Sequence, residues 1–295
     1  MKEIQNAAVI GHPIGHTMSP FLQERLFALQ GLPLRYQVLD IPELSENLQT
    51  LRSLDCFNVT IPHKSNIIPF LADLTEKARL CGSVNTVRVE NGKLYGTTTD
   101  GIGCRKTLLR HGLELTGNIL LLGNGGAAKA LAFEAADRPG FHLTIACRKE
   151  SFEKTKALAD SLADHARKSG KRGFRIVLET YEELEADRSA AFDLMLNATS
   201  VGMYPHVGVS PVSEQMIARC SAVFDAVYNP EETELLRLAG KLGKKTVGGM
   251  EMLVYQAAAS HEFWYGSRFR EEDLDKLCRD AAEELKRRTE GQGVS

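Results

Sequence analysis

The sequence predicts an α/β protein of two domains, and three observations carry that prediction. Short apolar runs alternate with helical stretches along most of the chain, an order that favours parallel strands joined by right-handed crossovers. A glycine-rich turn stands between an apolar run and a helical stretch near residue 123, as in dinucleotide-binding folds. The chain of 295 residues is also longer than one hydrophobic core ordinarily fills. Its 43% hydrophobic and 25% charged residues suit a globular enzyme. A formal net charge of -2 gives no basic footprint for nucleic acid or an anionic membrane, so the expected partner is a small molecule. The expected assembly is a monomer or a homodimer.

No apolar run approaches bilayer-spanning length and the first residues lack a signal-peptide core, so the expected location is the cytoplasm. Cys56, Cys81, Cys104, Cys147, Cys220 and Cys278 form no CxxC pair. They read as reduced thiols, and no metal site is expected.

In chain order, 7–10 is a buried strand running into Gly11-His12-Pro13-Ile14-Gly15-His16-Thr17-Met18-Ser19-Pro20. Ser19 is expected to cap the following helix, with Pro20 at its first position. Thr17 and Ser19 place two hydroxyls at a helix start, which suits a carboxylate. A plain N-cap accounts for Ser19 but not for the loop before it. A helix at 21–30, a strand at 34–41 and a helix at 43–51 lead to Phe57-Asn58-Val59-Thr60-Ile61-Pro62-His63-Lys64. Pro62 cannot donate to a sheet ladder, so the strand stops there. Lys64 then falls just past the end of a buried parallel strand, where open α/β sheets bind ligands. An amine there can donate a proton, and the alternative is a solvated lysine at a helix start. Short helices at 67–70 and 75–80 follow. The runs 84–89 and 93–98 flank Asn91-Gly92, a strong hairpin signal that sets Asn85 and Asp100 at adjacent ends. Asp100 reads both as the cap of a helix through about Arg110 and as a group that holds Lys64.

A second module begins with a strand at 118–122, followed by Gly123-Asn124-Gly125-Gly126-Ala127-Ala128 and a helix at 127–136. These small residues let backbone amides approach a pyrophosphate at the helix N-terminus. A strand at 141–147 ends in Cys147-Arg148-Lys149-Glu150, where an adenosine ribose is read. Arg148 and Lys149 suit the 2′-phosphate of NADP, whereas Glu150 suits the ribose hydroxyls of NAD; both remain open. A helix at 151–169 and strands at 174–179 and 192–196 follow, and the loop from Asn197 sets Thr199 beside a nicotinamide. A strand at 222–228 carries Tyr228 at its carboxyl end. After a strand at 245–247, Gly248-Gly249 forms a hinge. An apolar helix at 250–265 then carries a single polar group, Gln256, whose partners substrate hydroxyls would supply. An amphipathic helix at 271–288 ends the pattern. The expected domains are 1–103 with 249–295, and 104–248.

With these stretches in hand, the chain resembles the shikimate dehydrogenase family over nearly its whole length. The matching pieces are G-H-P-I-G-H-T-M-S-P, F-N-V-T-I-P-H-K, G-S-V-N-T, T-T-D-G-I-G, G-N-G-G-A-A-K-A, N-A-T-S-V-G-M, Y-N-P and G-M-E-M-L-V-Y-Q. The resemblance implies reversible NADP- or NAD-dependent reduction of 3-dehydroshikimate to shikimate. It makes Lys64 the acid-base residue and Asp100 its partner. Thr17, Ser19 and Tyr228 would bind the substrate carboxylate, and Asn58, Thr60, Asn85 and Gln256 its ring hydroxyls. Gly123, Gly125, Gly126, Ala127, Arg148, Lys149, Glu150, Thr199 and Gly249 would serve the cofactor. Thr17, Thr98, Gln23 and the Cys147-Arg148-Lys149 run depart from the family's usual serine, asparagine, histidine and Asn-Arg-Thr. Gln23 and the Arg-Lys-Glu-Ser-Phe segment are closer to the quinate/shikimate dehydrogenase branch, so quinate is the first alternative substrate. A non-catalytic metabolite-binding paralogue is the alternative of another class, and the presence of both Lys64 and Asp100 speaks against it.

Overall fold

Strand β1 (Gln5–Gly11) organises the first half of the chain, since β2 (Leu34–Asp40) and β3 (Cys56–Val59) pair with it on either side, both parallel. The connections are the helices α1 (Ser19–Leu29) and α2 (Leu44–Arg52), as a parallel crossover requires. The computed structural model describes residues 4–15, 17–187 and 189–292. The chain divides into two compact units, Met1–Gly103 with Val254–Ser295, and Cys104–Leu253.

Beyond β3 come α3 (His63–Asn66), a 3₁₀ turn at Ile68–Phe70, β4 (Asp73–Leu74) and α4 (Glu76–Cys81). The Asn91-Gly92 turn then joins β5 (Thr86–Glu90) to β6 (Lys93–Thr97) as an antiparallel hairpin. Among the described residues the sheet has the order β2-β1-β3-β5-β6-β4, with β5 antiparallel to β3. Ile10, Phe57, Val59, Val84, Val87 and Leu94 bury one side of it. Helix α5 (Asp100–Arg110) carries the chain out of this unit.

The second unit contains β7 (Asn118–Leu122), α6 (Gly126–Ala136), β8 (His142–Cys147), α7 (Phe152–Lys168), β9 (Arg175–Thr180) and α8 (Tyr181–Ala186). It continues with β10 (Phe192–Asn197), α9 (Glu214–Ala218), β11 (Cys220–Asp225), α10 (Glu234–Lys241) and β12 (Lys245–Val247). The strands form one parallel sheet of order β12-β11-β10-β7-β8-β9. Read outward from β7, this is the doubly wound order whose switch point lies between β7 and β10, the place where such sheets bind dinucleotides. Helix α11 (Gly249–Tyr265) starts in this unit and ends in the first, followed by α12 (Glu271–Gln292). The glycine pair expected at the crossing lies at the start of α11.

Three local expectations change. The last strand before α10 ends at Asp225, not Tyr228, because the Asp225 carboxylate turns the chain by accepting the Val227 N–H at 3.0 Å. Met18, not Ser19, occupies the N-cap of α1, and the Ser19 N–H donates to Thr17 Oγ1 at 3.1 Å instead. Helix α11 buries Ser260 and His261 fully, so Gln256 is not its single polar group on the packed side.

Candidate active site

In the first unit the loops leaving β1 and β3 meet at close range. A Cβ on Gly11 would lie 2.6 Å from Thr60 Cγ2 and 2.9 Å from the Ile61 carbonyl oxygen, so the crossing admits only hydrogen there. Lys64 follows on α3, and its Nζ donates to Asp100 Oδ2 at 2.6 Å. The lysine side chain is 19% exposed and the aspartate 6%, so the pair is open to solvent on the amine's side alone. Asp100 is the first residue of α5. Its Oδ1 accepts from Asn85 Nδ2 at 2.7 Å, the contact between hairpin ends that the sequence predicts.

Asn85 is the hub of this side. Its Nδ2 also approaches Thr99 Oγ1 at 2.9 Å and Gln256 Oε1 at 3.3 Å. Its Oδ1 accepts from the Thr99 N–H and the Thr86 hydroxyl, each at 2.9 Å. Gln256 thus finds protein partners at its oxygen. Thr98, beside them, is buried, and its hydroxyl has no partner among the described residues.

A second branch centres on Asn58, also buried. Its Oδ1 accepts from Gln23 Nε2 at 3.0 Å and from the Tyr36 hydroxyl at 3.1 Å. Its Nδ2 donates to Ser260 Oγ at 3.3 Å, and Ser260 meets Thr86 Oγ1 at 2.8 Å, which joins this branch to the Asn85 hub. Tyr36 bonds Ser19, and Ser19 Oγ accepts from Thr17 Oγ1 at 3.1 Å. Burial pushes the Tyr36 phenol well above its ordinary range, so it stays a donor. Among the candidates of this unit Thr60 stands apart. It is half-buried, its main chain bonded to Ile10 and His63, and its hydroxyl has no partner among the described residues. Sequence reasoning missed Tyr36, Ser260 and His261, and singled out Gln23 only as a departure.

In the second unit Gly123 ends β7 with φ +103°, a conformation that disfavours any side chain. A Cβ there would lie 3.0 Å from Thr199 Cγ2, so the loops after β7 and β10 meet at the switch point. Gly125 is the N-cap of α6, and a Cβ on it would meet nothing within 4 Å. Gly126 and Ala127 form the first turn of that helix, whose amide dipoles point into this space. Arg148, Lys149 and Glu150 are exposed just past β8, and none makes an ion pair among the described residues. Thr199 is fixed by Asn197 Oδ1, which accepts both its N–H and its hydroxyl at 3.0 and 2.8 Å. Asn197 in turn donates to Asp225 Oδ1 at 2.9 Å, and Thr233 to Asp225 Oδ2 at 2.7 Å. Burial pushes the Asp225 carboxyl up to about 6 against the pull of these bonds. Tyr228 lies beyond β11, half-buried, and belongs to this unit and not to that of Thr17 and Ser19. Gly249 is a packing contact, because a Cβ there would stand 2.4 Å from the Ala226 carbonyl oxygen.

Among the described residues no group of three His, Cys, Asp or Glu side chains could hold a metal ion, and no helix is long and apolar enough to cross a membrane. The cysteines are free.

Residues 9–87 match the substrate binding domain of shikimate dehydrogenase. A curated shikimate dehydrogenase (NADP(+)) of Methanococcus maripaludis is 39% identical, over 88% of this chain and 91% of that protein. The chain belongs to the shikimate dehydrogenase family. Solved shikimate dehydrogenase structures share its fold. The shikimate 5-dehydrogenase of Thermus thermophilus, in complex with NADP(H) and shikimate, matches with a TM-score of 0.80 at 30% identity, covering 94% of this chain and 99% of its own. A chorismate mutase/shikimate 5-dehydrogenase fusion protein from Clostridium acetobutylicum matches with a TM-score of 0.83 at 32% identity, covering 96% and 99%. The family read from the motifs and the two-domain α/β fold are both borne out.

Proposed function

We propose that this chain catalyses the reversible NADP-linked reduction of 3-dehydroshikimate to shikimate, with substrate bound by the first unit and the dinucleotide by the second. The observation that carries the reading is the Lys64–Asp100 pair at 2.6 Å, past the end of β3 and tied through Asn85 to a polar network with few charges. Thr17 and Ser19, at the start of α1, are the carboxylate-binding groups of that unit. Asn58, Asn85 and Gln256 face the ring hydroxyls, together with the Thr60 hydroxyl, which has no partner among the described residues. Tyr228, on the turn after β11, is the carboxylate-binding candidate of the second unit.

When bound, the reduced nicotinamide supplies the hydride. Lys64 donates a proton from Nζ to the carbonyl oxygen as negative charge develops there; in the reverse direction the neutral amine takes the hydroxyl proton. Asp100 holds Nζ in place, and Asn85 holds Asp100. The cofactor's pyrophosphate fits the space in front of α6, where Gly125 leaves room that a side chain would fill. Arg148 and Lys149 suit a 2′-phosphate, which agrees with the NADP(+) in the name of the M. maripaludis relative. Gly249 acts indirectly, by letting α11 approach the turn that bears Tyr228.

The test is the initial rate with shikimate and quinate crossed against NADP and NAD. Shikimate with NADP is expected to give the highest kcat/KM. Comparable activity on quinate would extend the reading to the broader enzyme, since a site rejects an added hydroxyl by only about 10²-fold. Silence in all four combinations would overturn catalysis in favour of a metabolite-binding role. Lys64→Ala is expected to lower kcat by about 10² to 10⁴, the range for a lost general acid, with a smaller change in KM. Near-normal kcat in a folded variant would remove Lys64 from the chemistry.

A further inference from the structure

Asn58 sits among donors whose direction can be worked out atom by atom. The Ser19 backbone N–H can only donate, and it donates to Thr17 Oγ1 at 3.1 Å. The Thr17 hydroxyl proton therefore goes onward to Ser19 Oγ, also at 3.1 Å. Ser19 bonds the Tyr36 oxygen, and the Tyr36 proton goes to Asn58 Oδ1 at 3.1 Å. A backbone amide thus sets the polarity of a hydroxyl chain that ends on the carboxamide oxygen of Asn58. Gln23 Nε2 fills the other lone pair of that oxygen at 3.0 Å, which leaves Gln23 Oε1 facing His261 Nε2 at 2.8 Å.

Oε1 can only accept, so His261 must carry its proton on Nε2. The imidazole is packed among Phe27, Trp264, Tyr265 and Phe269, and it is fully buried. Burial pushes its pKa down to about 3, so the ring stays neutral and carries one proton. Gln30 Oε1 lies 3.2 Å from His261 Nδ1; with the ring proton on Nε2, Nδ1 can only accept, so the Gln30 carboxamide must be turned end for end to donate its N–H there.

The consequence falls on Asn58. Both lone pairs of its oxygen are filled, and one Nδ2–H is held by Ser260. The remaining Nδ2–H reaches the Asn85 carbonyl at only 3.5 Å, the limit of a hydrogen bond. We propose that Tyr36 and Gln23, the latter backed by His261, lock Asn58 as a pure donor, so that it recognises a substrate ring oxygen only as an acceptor. Gln23 and His261 are then positioning residues that set hydroxyl specificity without touching the substrate. The specificity half of this rests on the proposed function; the orientation half does not.

Two measurements separate those halves. Side-chain ¹⁵N spectra of the whole protein, assigned with His261→Phe, should show His261 as the neutral Nε2–H tautomer across roughly pH 5 to 8. The Nδ1–H tautomer would reverse Gln23 and Asn58 and overturn the proposal, whatever the protein catalyses. Gln23→Met keeps the volume and removes both polar ends. It should raise KM for shikimate by about tenfold, the worth of one lost hydrogen bond, while kcat changes less than about threefold. Against shikimate analogues lacking one ring hydroxyl, the increment should vanish for one of them. An equal rise in KM for shikimate and every deoxy analogue would show a merely structural role and overturn the specificity claim. Tyr36→Phe makes the same KM test if Gln23→Met does not fold. Absence of turnover in wild type would sink the proposed function, while the tautomer still decides the orientation.

Discussion

Replacing Asp225 by asparagine should change how stability depends on pH, and the sign can be worked out. Asp225 is fully buried at the end of β11, where it accepts from Asn197, Val227 and Thr233, and burial pushes its pKa up to about 6. An unfolded aspartate titrates near ~3.9. Between these values the folded state holds more protons than the unfolded state, so stability falls as pH rises through the window and is flat above it. A shift of about two units at ~1.4 kcal/mol per unit gives roughly 3 kcal/mol in all, of which about 2 kcal/mol falls between roughly pH 4.5 and 7.5. The asparagine of Asp225→Asn would not titrate. Its oxygen keeps the Asn197 and Val227 donors, while its nitrogen faces Thr233 Oγ1 and strands one hydroxyl proton, at a cost of ~1 kcal/mol. The variant should therefore be less stable than wild type at low pH and should gain on it by about 2 kcal/mol on the way to pH ~7.5.

Urea unfolding followed by far-ultraviolet circular dichroism, on both proteins at matched pH, isolates this residue, because every other titrating group cancels in the difference. A difference constant to within ~0.5 kcal/mol over that range would show that Asp225 titrates near its ordinary value, and would refute the reasoning. A variant that loses ground as pH rises would refute its sign as well.

Gly125→Ala should leave the melting temperature unchanged within about 2 °C, because a Cβ there meets nothing within 4 Å and the backbone is already extended. It should nonetheless raise KM for NADP by at least about tenfold, since the methyl enters the space a pyrophosphate would take; unchanged cofactor kinetics would move the dinucleotide elsewhere. Arg148→Ala should weaken NADP more than NAD, by about tenfold in the ratio of kcat/KM, and equal losses would show that Arg148 does not read the 2′-phosphate.

The two folds differ in how plainly the sequence announces them. Parallel strands buried on both faces read as apolar runs, and the turn of small residues after β7 has few other uses, so the second unit is legible down to Gly123 and Gly125. In the first unit the Asn91-Gly92 turn fixes a register, and register alone brings Asn85 to Asp100. The Asn58 branch has no such local rule. Tyr36 sits on an edge strand with nothing unusual around it, and His261 meets Gln23 across 238 residues of sequence. Asp225 is hidden for a related reason. It stands inside Ala222-Val223-Phe224-Asp225-Ala226-Val227, which reads as strand, and its donors Asn197 and Thr233 assemble only when β10, β11 and α10 are in place.

The distribution of charge around Lys64 suits the proton-donor role proposed for it. Within the buried network of the first unit, Asn58, Asn85, Gln23, Gln256, Tyr36, Thr86, Thr99, Ser260 and His261 are all uncharged, and the charge is confined to Lys64 and Asp100. A second buried cation would oppose the ammonium at close range, where little solvent screens it. A second carboxylate would compete with the substrate for its proton. Neutral amides and hydroxyls orient a substrate through direction instead of charge, so they leave the potential at Nζ to Asp100 alone. In the proposed transfer the Asn85 bond, 2.7 Å here, would hold the Asp100 carboxylate in place as Lys64 gives up its proton. The amine, 19% exposed against 6% for the carboxylate, is the member of the pair that solvent reaches and would recharge.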